Sequence, residues 1–393
     1  MSQEAKKFDL VVFGATGFTG RLVAEYLEHQ YKNDSNVKWA MAGRSLQKLQ
    51  EVRAEMGVSE AVELIVADGD DENALAEMTK QTKVVLTTVG PYQLYGEKLL
   101  KACVENGVGY VDLCGEPTWM HDMIEKYQSK AQASGAKIVF SCGFDSIPFD
   151  LGIHFLQKHV ISETSKPLSY VKGRVRKMQG TFSGGTAASL KATLKAAFAN
   201  PEIMKVLRNP LCLADTNKGA EQPNGDRPYY DEALKSWSAP FVMAAINTKN
   251  VHRSNMLNNY AYGVDFKYDE MMLTGPGEKG EAIANHITND KSLGSDGGPK
   301  PGEGPSKEER ENGFYDVLFI GEASDGNTYA ASVIGDKDPG YGSTSKMITE
   351  SAICLAHETE ALPGGIYTPA SAFPEALIAR LQKHAGIKFT LES

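Results

Sequence analysis

The sequence contains no C-x-x-C pair, and its five cysteines (Cys103, Cys114, Cys142, Cys212 and Cys354) are odd in number and widely scattered. This argues against a disulfide framework and a zinc site and fits a reducing cytoplasm. The eight histidines show no ligand spacing with acids or cysteines, so a metal enzyme is the least favoured class. A basic excess is also missing: 41 Lys and Arg stand against 50 Asp and Glu, a net charge of -9, which argues against a nucleic-acid partner. No apolar run approaches the ~18 residues of a membrane span, and "MSQEAKKFD" has no apolar signal core. No transmembrane segment is expected, while peripheral membrane or lipid contact stays open. No internal repeat is visible.

What is present suits a packed protein of two domains, since 393 residues with 41% hydrophobic side chains exceed the usual single core. From residue 8 to about 142, the runs "FDLVVF", "VKWAMA", "VELIVA", "KVVLTTV", "GYVDLC" and "KIVFSC" each precede a longer helical pattern. Six strands with helical crossovers predict an α/β fold, a Rossmann-type doubly wound parallel sheet over residues 1–150. Beyond it "SYVKGRVRKM" alternates Val171, Gly173 and Val175 with Lys172, Arg174 and Arg176, as a strand with one buried face would. The alternation puts Arg174 and Arg176 on a solvated face, followed by Lys177. "FYDVLFIGEASDGNTYAASVIG" predicts two strands about a turn at Asp325-Gly326-Asn327, and "STSKMITESAICLAHETEAL" a helix. Residues 151–393 are thus expected to form an α+β domain with a mixed or antiparallel sheet. The last helix, 374–385, is placed to pack back on the first domain. The polar stretch 288–312 is expected to be a mobile surface loop, because it has almost no apolar side chains to offset its ordering entropy.

The strongest motif is "VVFGATGFTGRLVAEYL". Gly14, Gly17 and Gly20 form G-x-x-G-x-x-G between a predicted strand and a predicted helix, the context of a dinucleotide fingerprint. Gly14 allows the tight turn, Gly17 the approach of the pyrophosphate and Gly20 close helix packing. Ala15, Thr16, Phe18 and Thr19 complete the loop, and the helix N-terminus favours an anion. The second strand ends in Gly43, Arg44 and Ser45 with no carboxylate. Since a guanidinium pairs with a ribose 2′-phosphate that an acid would repel, NADP(H) is expected over NAD(H). Asp68, ending the third strand, meets the adenine side or caps the next helix.

Gly90, Pro91 and Tyr92 follow the fourth strand, where the nicotinamide half should lie. Tyr92 either meets the cofactor or substrate or only packs. "YVDLCGEP" brings Asp112, Cys114, Gly115 and Glu116 to the same edge. There, a structural hydrogen bond for Asp112 and a buried filler role for Cys114 are the plain alternatives. "SCGFDSIPFDLG" places Asp145, Ser146 and Asp150 either as a cleft wall or as a helix start with an N-cap. In "FSGGTAASLKATL", Gly184 and Gly185 precede a helix whose N-terminus could receive a substrate carboxylate or phosphopantetheine phosphate.

In order along the chain, "GATGFTGR", "AGRS", "VGPY", "YVDLCGEP", "GFDSIPFDLG", "SGGTAAS" and "GGIYTPASAF" resemble the saccharopine dehydrogenase-like oxidoreductases. They look most like the branch of the mycobacterial trans-acting enoyl reductases and their animal relatives. The resemblance implies an NADP-binding Rossmann domain, a smaller α+β domain, and reduction of a carbon-carbon double bond in a lipid or polyketide-type intermediate. The substrate would be a small molecule or a carrier-linked acyl group. Tyr92 is then the first candidate for proton donor or enolate hydrogen bond, with Ser146 and Thr186 as further hydroxyls. Two other readings stay open: an imine or carbonyl reductase on the same scaffold, and a lipid-associated scaffold protein that binds NADP(H) without turnover. A homodimer is compatible with the second domain, although no segment singles out an interface.

Overall fold

The computed structural model describes residues 6–181, 184–290 and 303–392. Its first half alternates strand and helix: β1 (Phe8–Phe13), α1 (Phe18–Tyr31), β2 (Trp39–Gly43), α2 (Leu46–Glu55), β3 (Glu63–Val66) and α3 (Glu72–Lys80). It continues with β4 (Thr82–Thr87), α4 (Tyr92–Glu105), β5 (Gly109–Val111), α5 (Pro117–Ser134), β6 (Lys137–Val139) and α6 (Ile147–Thr164). These six strands lie parallel in the order β6-β5-β4-β1-β2-β3. Every residue of β1 and β2 is buried, as apolar strands covered on both faces require. The order reverses between β1 and β4, which opens a crevice at the carboxyl ends of those strands.

The second half contains β7 (Tyr170–Gln179), α7 (Gly184–Ala199), α8 (Pro201–Arg208), β8 (Tyr229–Asp231), β9 (Ser236–Pro240), α9 (Ala244–Leu257) and β10 (Lys267–Gly275). Then come α10 (Gly277–Asn289), α11 (Lys307–Asn312), β11 (Phe314–Glu322), β12 (Thr328–Gly335) and α12 (Thr344–His357). The chain ends with β13 (Gly365–Tyr367), α13 (Pro369–Ala372), α14 (Pro374–Arg380) and β14 (Ile387–Glu392). Seven of these strands form a second, mixed sheet, β14-β12-β11-β7-β10-β9-β8, in which only the β7–β10 pair is parallel. The turn at Asp325–Asn327 joins β11 to β12.

Three expectations need amendment. β13 adds a seventh parallel strand beside β6, and α12 packs on β1, β4 and β5, so the chain re-enters the first unit long after residue 150. Glu350 of α12 accepts from Tyr26 and Tyr31 of α1 and pairs with Arg380 of α14, which ties the C-terminal helices to the first domain. The polar stretch is not loop throughout: α10 runs to Asn289, and α11 starts at a capping box between Ser306 and Glu309. Residues 291–302 lie outside the described residues.

The strand β7 has the expected period but not the expected solvated face. Lys177 is exposed, yet Arg174 is fully buried and pairs with Asp269 at 2.9 Å. Arg176 bridges Asp316 and Glu392, and Lys172 pairs with Asp231. Acids on other strands of the same sheet neutralise these three cations, and pairing with hydrogen bonds is what permits burial of charge.

Candidate active site

A cleft of about 1790 Å³ opens at the carboxyl edge of the first sheet and continues under α7 and α8. At its floor Gly14 has φ +87°, and a Cβ there would stand 2.6 Å from Val89 Cγ2. A Cβ on Gly20 would stand 2.2 Å from the Gly14 carbonyl oxygen. Glycine is therefore required at both positions, by backbone conformation at the first and by helix packing at the second. Gly17 is the N-cap of α1 and offers no side chain, so the first-turn N–H groups are left for an anion held in the cleft, which Thr16, Phe18 and Thr19 also line. Ala15 is a correction. It is fully buried and its N–H donates to Ala42 O at 3.2 Å, so it sets the loop and does not face the cleft.

Arg44 is exposed and lines the cleft at the end of β2. Ser45 is turned to another task, capping α2 by accepting from Lys48 N at 3.4 Å. Asp68 lines the cleft, and the cap of the next helix is Asp71, which accepts from Asn73 N and Ala74 N. Gly90 and Gly115 border the cleft, and the space at Gly115 where a Cβ would point is open. Pro91 serves as N-cap of α4 and Cys114 is buried in the core, its thiol pushed up by desolvation; neither lines the cleft.

The candidate catalytic hydroxyls are not free. Tyr92 borders the cleft, but its buried hydroxyl donates to Thr87 O at 3.4 Å and accepts from Leu113 N at 3.0 Å. Burial, with Asp112 nearby, pushes that phenol well up, against proton release. Ser146 is fully buried away from the cleft and accepts from Asn250 Nδ2 at 2.8 Å. Thr186 falls on α7 where the side chain lies outside the described residues, as do residues 182–183 ahead of the Gly184-Gly185 helix start.

The acids of the same edge divide into structural and available groups. Asp112 accepts from Cys114 N, Ser141 N and Tyr110 Oη. Asp150 accepts from Ser254 Oγ and Ala370 N. Glu116 accepts from Tyr92 N and from Ser189 Oγ, tying α7 over the start of α4. Asp145 differs: it borders the cleft, its Oδ1 is enclosed with no partner, and burial pushes its carboxyl up to about 7. Only its place in "GFDSIP" after the last Rossmann strand pointed to it in the sequence. Tyr341 had no sequence signal. It lies edge-on to Phe18 at 4.7 Å in the cleft wall, with a buried, unpartnered hydroxyl. The cleft walls also carry the apolar side chains of Leu94, Ile203, Val206, Leu207, Phe241 and Ile246, beside the charged Lys98, Lys101, Lys126 and Lys130.

Among the described residues no three His, Cys, Asp or Glu side chains form a metal-holding group, and no helix is long and apolar enough to cross a membrane. The model of the saccharopine dehydrogenase NADP binding domain matches residues 10–139. A Mycobacterium tuberculosis protein provisionally named a trans-acting enoyl reductase is 36% identical over 97% of both chains. The trans-acting enoyl reductase of Mycobacterium ulcerans is 34% identical over 97% of both. Among solved structures, apo saccharopine dehydrogenase (L-Glu forming) of Saccharomyces cerevisiae superposes with a TM-score of 0.55 at 12% identity, covering 98% of this chain and 100% of that one. That likeness concerns the fold.

Proposed function

This chain belongs to the trans-acting enoyl reductase family of saccharopine dehydrogenase-like oxidoreductases, and from that membership and its cleft we propose that it reduces a double bond conjugated to a carbonyl in a lipid- or polyketide-type acyl substrate. The reading is supported chiefly by the apolar side chains of the cleft wall, where Ile203, Val206, Leu207 and Phe241 suit an acyl chain. An amino-acid substrate would call for free cations, and Lys98, Lys101 and Lys126 of the cleft wall are paired with Asp70, Glu72 and Glu97. The cations of β7 that come nearest to that role, Arg174 and Arg176, are consumed in ion pairs and do not line the cleft.

The residues present fit NADP(H). The α1 N-terminus would hold the pyrophosphate, Arg44 the 2′-phosphate, and the open face at Gly115 would admit the nicotinamide side. When bound, the cofactor supplies a hydride from its nicotinamide C4. The chain's part is to hold the acyl group against that ring, to exclude water with α7 and α8, and to stabilise the charge that develops on the carbonyl oxygen. A volume of about 1790 Å³ exceeds that of a typical small-molecule pocket, which leaves room for a chain beside the dinucleotide. The five described cysteines are free and buried, in keeping with a cytoplasmic setting.

The test is titration of the purified protein with NADPH and NADH, followed by NADPH oxidation against α,β-unsaturated acyl thioesters and against imines. Preference for NADPH with turnover of the thioesters is expected. Turnover of imines alone would establish the imine reductase reading, and NADPH binding without turnover of either class the scaffold reading.

A further inference from the structure

Resting on that reading, we propose that Asp145 is the acid that protonates the substrate carbon next to the carbonyl, and that Glu270 behind it resupplies the proton through a polar passage lined by Asn247 and Asn250. The reaction needs a proton at that carbon, and the hydroxyls of Tyr92 and Ser146 are held by other groups. Asp145 sits in the cleft wall beside Phe144, between β6 and the start of α6.

Behind Asp145 two hydrogen bonds lead toward the second domain. Ser146, its neighbour, accepts from Asn250 Nδ2 at 2.8 Å. One turn back on α9, Asn247 Nδ2 donates to Glu270 Oε2 at 2.9 Å. Tyr268 lies two residues from Glu270 on β10, and both reach toward Gly173: a Cβ there would meet Tyr268 Oη at 2.6 Å and Glu270 Cγ at 3.1 Å. In this one patch Asp145 Oδ1, Asn247 Oδ1 and Asn250 Oδ1 are buried without a hydrogen-bond partner, while Tyr268 and Glu270 bear on each other. Buried polar atoms are nearly always paired, with protein or with ordered water, so these three oxygens are where ordered water would complete the pairing between Asp145 and Glu270. Water bridging carboxyls in this way carries protons.

Burial favours the protonated form of both acids. Burial dominates for both, pushing Asp145 to about 7 and Glu270 to about 8. The groups facing Glu270 are Asn247 from α9, Tyr268 and Asp269 from its own strand, and Asp145 from the loop after β6; the two aspartates raise it further. Arg174 on the neighbouring strand β7 pairs with Asp269 and also bears on Tyr268.

In the step itself, hydride addition at the far carbon breaks the π bond and leaves an enolate. The O–H bond of Asp145 breaks, a C–H bond forms at the near carbon, and Asp145 is left as a carboxylate. Glu270 then returns a proton to it, and the pair regains one proton from solvent on the side where Asp145 borders the cleft. The hydride supplies both electrons, so no further reductant is involved.

The experiment compares the full-length protein with Asp145→Asn and Glu270→Gln in three measurements: NADPH affinity, the pH profile of kcat with an α,β-unsaturated acyl thioester of coenzyme A, and infrared titration of protonated carboxyl bands. Both variants are expected to bind NADPH like the parent. Asp145→Asn should lose about 100-fold or more in kcat, the range general-acid catalysis supplies. Glu270→Gln should lose about 10-fold in kcat with KM unchanged and move the alkaline limb of the profile. A carboxyl band titrating near neutrality should vanish in Asp145→Asn and shift in Glu270→Gln. Full turnover in Asp145→Asn, or the absence of that band from the parent, would overturn the proposal. A parent that shows the band but fails to reduce any thioester would sink the enoyl reading while leaving the coupled pair standing.

Discussion

The carbonyl oxygen of Gly14 occupies the space next to Gly20 so closely that a Cβ on residue 20 would stand 2.2 Å from it. The phosphate loop and the first turn of α1 are thus in backbone contact. Gly20→Ala must push them apart, and overpacking of this kind costs about 1–3 kcal/mol. The expected outcome is a lower denaturation midpoint together with loss of NADPH binding, because the displaced turn carries the anion-facing N–H groups. Unchanged affinity in isothermal titration would show that the contact is not needed.

Arg44 is exposed at the cleft rim, and no carboxylate flanks it at the end of β2. Arg44→Ala is expected to weaken NADPH binding about 10-fold, the lower end for a charge-assisted bond, and to leave NADH unchanged. Equal losses for both nucleotides, measured side by side, would remove the 2′-phosphate role.

Tyr92 is held by Thr87 O and Leu113 N. Tyr92→Phe leaves the Leu113 N–H without its acceptor, at a cost of about 1–2 kcal/mol in urea unfolding. Turnover should stay within about 3-fold of the parent, far from the ~100-fold of a lost general acid. A variant with intact stability and collapsed turnover would restore the tyrosine to the chemistry.

Arg174 and Asp269 form a buried ion pair at 2.9 Å. Arg174→Met strands the Asp269 carboxylate, and breaking such a pair costs about 3–5 kcal/mol. Adding Asp269→Asn should recover much of it. A double-mutant cycle with no coupling between the two sites would contradict the pairing as a stability element.

Asp145 is an acid whose folded value, about 7, lies above the ordinary 3.8. Between these values the folded state binds more protons than the unfolded one, so stability falls as pH rises through the window and the cost is complete above it. Asp145→Asn should therefore raise the melting temperature at about pH 8 and have little effect at about pH 4. A gain that does not grow with pH would show that the carboxyl is not held protonated.

The Rossmann half was legible because its signals are local. Apolar runs become buried parallel strands by composition alone, and three glycines at fixed spacing mark a turn that no other residue can make. That Arg44 ends β2 at the cleft rim was read in the same way, from the residue that closes a strand. The side chains at the cleft were harder to read. Tyr92 and Ser146 carry the right functional groups in the right loops, and nothing in their own segments says that Leu113 or Asn250 will claim them. The alternation of β7 is equally faithful to a strand, yet its partner acids Asp269, Asp316 and Glu392 come from other strands, one of them more than 200 residues on.

By itself, the sequence determined the sheet and the glycine-rich loop, since each depends on backbone conformation or on residues within one turn of each other. Only the tertiary structure decided which hydroxyls are spent and which carboxyl is left over. Hydrogen-bond satisfaction and burial depend on groups brought together from distant segments: Asp145 from the end of the first domain, Asn247 and Asn250 from α9, and Glu270 from the second sheet.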